Sequence, residues 1–182
     1  KKFDEKTEVW TEIPSDKIAF DKAPAMKAME IAKAMEKALR SGAYKFLRLN
    51  FANGDMVGHT GSLPAAIEAV KTVDKALGRL LTVMDELGGT VIITADHGNC
   101  EQMIAVNEKT GQPVSGPGGA YEPMTSHTLN PVPFIIHGPD TSRYAINDDR
   151  NAFGLGSVAA TILNLLGLEK PEIYLEPIIA FQ

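Results

Sequence analysis

Three short segments of the sequence carry residue types that could bind metal ions. They are residues 50–61 (NFANGDMVGHTG), 94–99 (TADHGN) and 125–134 (TSHTLNPVPF). The second is the most informative, because Asp96 and His97 follow a β-branched run at 90–93 that predicts a buried strand. Ligands of open α/β sheets bind at the ends of strands. We therefore expect a metal site at the edge of a sheet.

The candidate ligands are two carboxylates and three imidazoles, namely Asp55, His59, Asp96, His97 and His127. Mixed oxygen and nitrogen ligands suit manganese, zinc, cobalt or iron better than calcium, which prefers oxygen alone. Five side chains exceed the needs of one four-coordinate ion that keeps an open position. A two-metal site is the simpler interpretation, and such sites clamp the oxygens of a phosphoryl group during its transfer.

Each candidate also has a purely structural interpretation. A single histidine near a strand end is usually a hydrogen-bonded structural residue, and an aspartate in a turn commonly stabilises the turn. The agreement of three segments favours metal binding. His137 lacks a neighbouring carboxylate and Cys100 is the only cysteine, so we predict structural roles for both. We predict core roles for Met26, Met29 and Met35, and loop or helix-capping roles for Ser62, Ser126 and Ser157. Five arginines are candidate phosphate binders among which the sequence does not select, and most of them should be solvated surface charges: Arg40, Arg48, Arg79, Arg143 and Arg150.

The elements that must position these residues alternate between helix and strand. Helical periodicity predicts helices from Pro24 to Leu39, from Pro64 to Leu87 and over residues 157–166. Apolar runs predict strands at 44–51, 90–95 and 132–137, and residues 107–124 form a long polar connection. Glycines favour a loop over 53–62, although the spacing of Asp55 and His59 would also suit one face of a helix. The alternation predicts an α/β fold with a largely parallel sheet.

Length and composition set the class of protein. The chain has 182 residues, of which 44% are hydrophobic and 23% charged, as is ordinary for one globular domain. A net charge of -5 argues against a nucleic-acid-binding surface. No apolar run approaches the roughly 20 residues of a membrane-spanning helix, and no secretory signal is visible at the start. A single cysteine suits a reducing cytoplasm, so we expect a cytoplasmic protein without membrane or nucleic-acid partners.

The three segments together resemble the carboxy-terminal part of cofactor-independent phosphoglycerate mutase, a family of the alkaline phosphatase superfamily. The resemblance implies a three-layer α/β/α sandwich with a mostly parallel sheet, incomplete on its amino-terminal side. It also implies two bound divalent ions, with manganese as the expected metal and magnesium, cobalt or zinc as alternatives. One ion is expected on Asp55, His59 and His127, and the second on Asp96 and His97.

The reaction implied by the resemblance interconverts 3-phosphoglycerate and 2-phosphoglycerate through a phosphoserine, as a step of glycolysis. The nucleophilic serine, a further metal-binding aspartate, a catalytic lysine and an inserted transferase domain with substrate-binding arginines are expected outside residues 1–182. The chain would then be the carboxy-terminal portion of the metal-binding phosphatase domain. It would contain no catalytic nucleophile and would be inactive alone.

Further expectations concern assembly and alternatives. We expect the full-length enzyme to be monomeric, and this chain to be less stable or to self-associate through an open sheet edge. Another phosphotransferase of the superfamily, such as a phosphopentomutase, or a phosphodiesterase is an alternative function. A non-catalytic metal-binding module is a second alternative.

Overall fold

A computed structural model describes residues 2–147, 149 and 153–182. The helices are α1 (Ala28–Arg40), α2 (Asn53–Gly58), α3 (Leu63–Leu87) and α4 (Ser157–Leu165). The strands are β1 (Val91–Thr94), β2 (Phe134–His137), β3 (Tyr144–Ile146) and β4 (Ile179–Phe181). The chain divides into two compact units, one comprising the residues up to Leu87 with His97–Val132 and the other Gly88–Asp96 with Pro133–Gln182.

Helices α1 and α3 pack together in the first unit. Their contact is lined by small residues, with Ala28, Ala32 and Ala76 fully buried beside Leu80. Such small side chains let helix backbones approach closely, and Met29 and Met35 complete the cluster as predicted. Helix α3 has Pro64 in its first turn and is followed by Gly88 at φ +64°, the start and stop signals expected from the sequence.

The predicted loop over 53–62 is wrong in its first half, because residues 53–58 form the helix α2. A helix this short is held by tertiary contacts rather than by propensity. The Asn53 amide donates hydrogen bonds to the carbonyls of Pro24 and Ala25 at 3.0 and 2.9 Å. Val57 is fully buried against Ala65 and Ala69. These contacts outweigh the two glycines that favour a loop.

The predicted strand at 44–51 is also wrong, since no strand is assigned there. Leu49 and Phe51 instead pack against the cluster between α1 and α3, whereas Phe46 remains 53% exposed. The apolar side chains of this segment therefore serve packing against helices rather than pairing within a sheet.

The second unit contains two antiparallel strand pairs. β1 pairs with β2 in the register Val91↔His137 to Thr94↔Phe134, and β3 pairs with β4. The α/β content matches the prediction, but no parallel pairing occurs in the part of the chain that the structure describes. A parallel β–α–β unit needs a strand before α3, and the segment at 44–51 does not supply one.

Membrane insertion of a helix finds no support in the structure. Within residues 2–147, 149 and 153–182, no helix combines the length and apolar character needed to cross a bilayer.

Candidate metal centre

Helix α2 brings the first two candidate ligands together. Asp55 and His59 are four residues apart, so their side chains lie on the same face of the helix. The distance from Asp55 Oδ1 to His59 Nε2 is 3.0 Å. The spacing of four residues therefore reflects one face of a helix, which was the alternative to the predicted loop.

Two further imidazoles reach the same carboxylate oxygen. His127 Nε2 lies 2.8 Å from Asp55 Oδ1 and His97 Nε2 lies 3.9 Å from it. The rings of His97 and His127 stack with centroids 3.6 Å apart and an interplanar angle of 17°. One carboxylate and three imidazoles, drawn from three segments of the first unit, therefore converge on one point.

The hydrogen bonds around His59 indicate which of its ring nitrogens can bind an ion. Its Nδ1 lies 2.6 Å from the carbonyl oxygen of Thr125, which can only accept, so we assign the proton to Nδ1. In a neutral ring the Nε2 of His59 then carries a lone pair. This nitrogen lies 3.0 Å from Asp55 Oδ1 and 3.0 Å from His127 Nε2. A proton on His127 Nε2 can bridge these acceptors.

A divalent ion fits this donor set. The ligand atoms of Asp55, His97 and His127 all lie within 4.8 Å of one another. Converging lone pairs repel unless a cation lies between them, and metal ions commonly displace protons from such groups. The hydrogen bond from Nδ1 to a carbonyl is also the usual way in which a metal-binding histidine is oriented.

The electrostatics keep the central carboxylate ionised. Burial alone would raise the pKa of Asp55, but hydrogen bonds from His127 and Asn99 and the nearby imidazoles outweigh it. The net effect holds the pKa of Asp55 below its ordinary value. The group is therefore ready to bind a cation at neutral pH.

Asp96 is the remaining predicted ligand. It lies in the second unit, two residues beyond the end of β1 and directly before His97, and its side chain is exposed. Its role as a ligand stays a prediction.

Two residues near the centre were missed by sequence reasoning. Asn99 is only 5% exposed, and its amide donates to the Oδ1 and the backbone carbonyl of Asp55, each at 3.2 Å. Glu101 accepts the backbone N–H of Asn99 at 2.6 Å and the side-chain amide of Asn130 at 3.0 Å. The available signal was position, since Asn99 ends the TADHGN segment and Glu101 lies two residues beyond it.

Glu101 also accepts a hydrogen bond from the hydroxyl of Thr128. Burial by itself would raise the pKa of Glu101, but the hydrogen bonds from Thr128, Asn130 and backbone N–H groups lower it below the ordinary value. The carboxylate is consequently a charged acceptor that joins two segments of the first unit.

The residues that were predicted to be structural have the following positions. His137 ends β2, and the Cys100 thiol donates to the carbonyl of Gly54 at 2.8 Å. Burial, with the charges of Glu101 and Asp55, raises the pKa of Cys100, which disfavours a reactive thiolate. Ser157 is fully buried at the start of α4. Arg40 and Arg79 are paired with Glu36, and Arg150 lies outside the described residues.

Comparison with known proteins agrees with this chemistry. The sequence matches the family described as the Metalloenzyme superfamily over residues 1–170. This chain belongs to the metalloenzyme superfamily. It is 44% identical, over 174 residues, to the 2,3-bisphosphoglycerate-independent phosphoglycerate mutase of Trypanosoma brucei brucei. The matched region covers 95% of this chain and 31% of that protein. The same-named protein of Nicotiana tabacum is 45% identical over 174 residues, covering 94% of this chain and 31% of the relative.

A solved structure shows the same relationship. Leishmania mexicana phosphoglycerate mutase, in crystals at low cobalt concentration, is 45% identical with a TM-score of 0.94 and matches 100% of this chain and 33% of its own. The predicted resemblance to the mutase family is therefore confirmed. The chain spans about a third of the length of the relatives that it matches.

Proposed function

We propose that this chain is the metal-binding part of a 2,3-bisphosphoglycerate-independent phosphoglycerate mutase, which interconverts 3-phosphoglycerate and 2-phosphoglycerate. The observation that carries the proposal is the convergence of His59, His97 and His127 on Asp55 Oδ1. These residues come from the three segments that resemble the mutases, and the relatives above carry that name.

The centre is proposed to hold two divalent ions, with manganese as the physiological metal. Asp55, His59 and His127 would bind one ion, and Asp96 and His97 would contribute to the second. When bound, such ions stabilise the negative charge of a phosphoryl group during transfer. The oxygen and nitrogen donors support a transition metal, and a relative was crystallised with cobalt.

The chain's own residues would orient these ligands. The Thr125 carbonyl fixes the tautomer of His59, and the buried amide of Asn99 fixes the rotamer of Asp55. The first prepares a nitrogen lone pair and the second an ionised oxygen. Both act before any ion arrives, which reduces the cost of assembling the centre.

The rest of the enzyme is proposed to lie in sequence outside residues 1–182. There we place the nucleophilic serine, a further aspartate ligand, a catalytic lysine and the arginines that bind phosphoglycerate. The chain is accordingly proposed as the carboxy-terminal portion of an α/β/α phosphatase domain in a monomeric, cytoplasmic, glycolytic enzyme. On this proposal the chain alone catalyses no turnover, because covalent catalysis requires the nucleophile.

The test is phosphorus NMR of 3-phosphoglycerate incubated with the full-length protein and manganese. We expect conversion to 2-phosphoglycerate, and a loss greater than about 100-fold for His59→Ala and His127→Ala, since even outer-shell partners are worth up to that factor. Glu108→Gln, which removes an exposed carboxylate from a turn, is the matched control and should keep full activity.

Three outcomes would contradict the proposal. Turnover of a phosphopentose but not of phosphoglycerate would favour a phosphopentomutase. Manganese binding without turnover of either substrate would favour a non-catalytic metal-binding module. Mutase activity of the purified 182-residue chain would show that its nucleophile had been misplaced.

A further inference from the structure

The two segments that carry His97 and His127 meet directly. The backbone N–H of Thr128 donates to the carbonyl of Gly98 at 3.0 Å, which forms an isolated antiparallel bridge. Each of these two residues follows a candidate ligand in the chain. The position of one imidazole relative to the other is therefore governed by how firmly these segments are joined.

Glu101 reinforces this junction with both of its carboxylate oxygens. Oε2 accepts the backbone N–H of Asn99 at 2.6 Å, within the segment of His97. Oε1 accepts the Asn130 amide at 3.0 Å and the Thr128 hydroxyl, within the segment of His127. The last two bonds cross 29 and 27 residues of sequence, so they are tertiary links rather than local turn contacts.

The same network reaches Asp55. The N–H of Asn99 is held by Glu101, while the side chain of Asn99 donates to Asp55 Oδ1. Glu101 thus constrains the segments of three candidate ligands through hydrogen bonds to residues that are not themselves candidate ligands. A charged acceptor is suited to this task, because hydrogen bonds to ionised groups are shorter and stronger than neutral ones.

We propose that Glu101 is a positioning residue of the metal centre, which sets the spacing of His97 and His127 by linking the backbone of Asn99 to the side chains of Thr128 and Asn130. This inference rests on the proposed function, since it assumes that the centre binds divalent ions. Glu101 lies on the surface, and its loss leaves no cavity in a core. Its removal should therefore weaken ion binding more than it weakens the fold.

The test compares Glu101→Gln, Glu101→Ala and the control Glu108→Gln in the 182-residue chain. Manganese affinity is measured by calorimetric titration, and ligand geometry by the visible absorption of the cobalt-loaded protein. We expect manganese to bind about 10-fold more weakly to Glu101→Gln and about 100-fold more weakly to Glu101→Ala. The cobalt spectrum should shift in both variants and not in the control.

Thermal unfolding without metal separates positioning from a merely structural role. The unfolding midpoints of the metal-free variants should stay close to that of the parent chain. If both variants bind manganese with parental affinity and give parental cobalt spectra, this inference is overturned and the proposed function stands. If the parent chain itself binds neither ion, the proposed function and this inference both fail. If the variants lose unfolding free energy without metal to the same extent as they lose binding free energy for manganese, the role of Glu101 is to stabilise the fold and not to position the ligands.

Discussion

Close packing around the candidate metal centre matters as much as the charges of its residues. Gly58 in α2 lies against the side chain of Asn99, and a Cβ at this glycine would overlap the amide. The amide can hold Asp55 only because that space is empty. The sequence contains both residues in its motifs, but 44 residues separate Asn99 from Asp55. No spacing rule could reveal this contact.

Gly58→Ala should therefore destabilise the chain, although alanine normally favours a helix. Overpacking of this kind costs about 1–3 kcal/mol of unfolding free energy. Gly78→Ala is the matched control, because Gly78 also lies in a helix and a Cβ there would meet no described atom within 4 Å beyond its chain neighbours and the adjoining helix backbone. That change should stabilise the chain by up to about 1 kcal/mol. Urea unfolding measures both, and equal stability of the two variants would refute the close-approach argument.

At the scale of elements, the sequence predicts the long helices well and the short segments poorly. Helix α3 has 25 residues with an apolar face and clear end signals, so local information suffices. Helix α2 has 6 residues and two glycines, and its conformation depends on contacts of Asn53 and Val57 with residues far along the chain. The segment at 44–51 has the composition of a strand but packs on helices. Tertiary contacts decide both cases.

The packing of α1 on α3 also includes an ion-pair cluster. Glu36 accepts from Arg40 of its own helix at 2.9 Å and from Arg79 of α3 at 2.6–2.7 Å. Hydrogen bonds from Arg40 and Arg79 lower the pKa of Glu36 from its ordinary value. A depressed carboxyl pKa stabilises the folded state above the unfolded pKa, and this contribution is lost as the pH falls through the folded pKa.

Glu36→Gln should consequently unfold more easily than the parent chain at neutral pH, and the difference should shrink as the pH falls below about 4.5. The measurement is the urea midpoint at a series of pH values. Glu68→Gln on the exposed surface of α3 is the control, and it should show a smaller difference at neutral pH. A parent–variant difference that stays constant between neutral and acidic pH would exclude the ion pairs as its source.

At the scale of the whole molecule, the candidate ligands lie far apart in sequence. Asp55 and His127 are 72 residues apart, and His97 lies between them. The sequence could single out the candidate ligands because the motif residues are local. It could not supply their convergence, which depends on α2, on the Gly98–Thr128 bridge and on Asn99. Binding at such a centre couples these distant segments to one another.

Manganese should therefore raise the unfolding midpoint of the 182-residue chain, because an ion that binds only the folded state stabilises it by mass action. At a free ion concentration of about 100 times the dissociation constant the gain is about 2.7 kcal/mol. A chelator should reverse it. Asp55→Asn removes the oxygen charge on which the three imidazoles converge, so its midpoint should respond little to manganese, whatever its value without metal. A parental response in Asp55→Asn would place the stabilising ion elsewhere, because three neutral imidazoles without that charge should hold a divalent ion far more weakly.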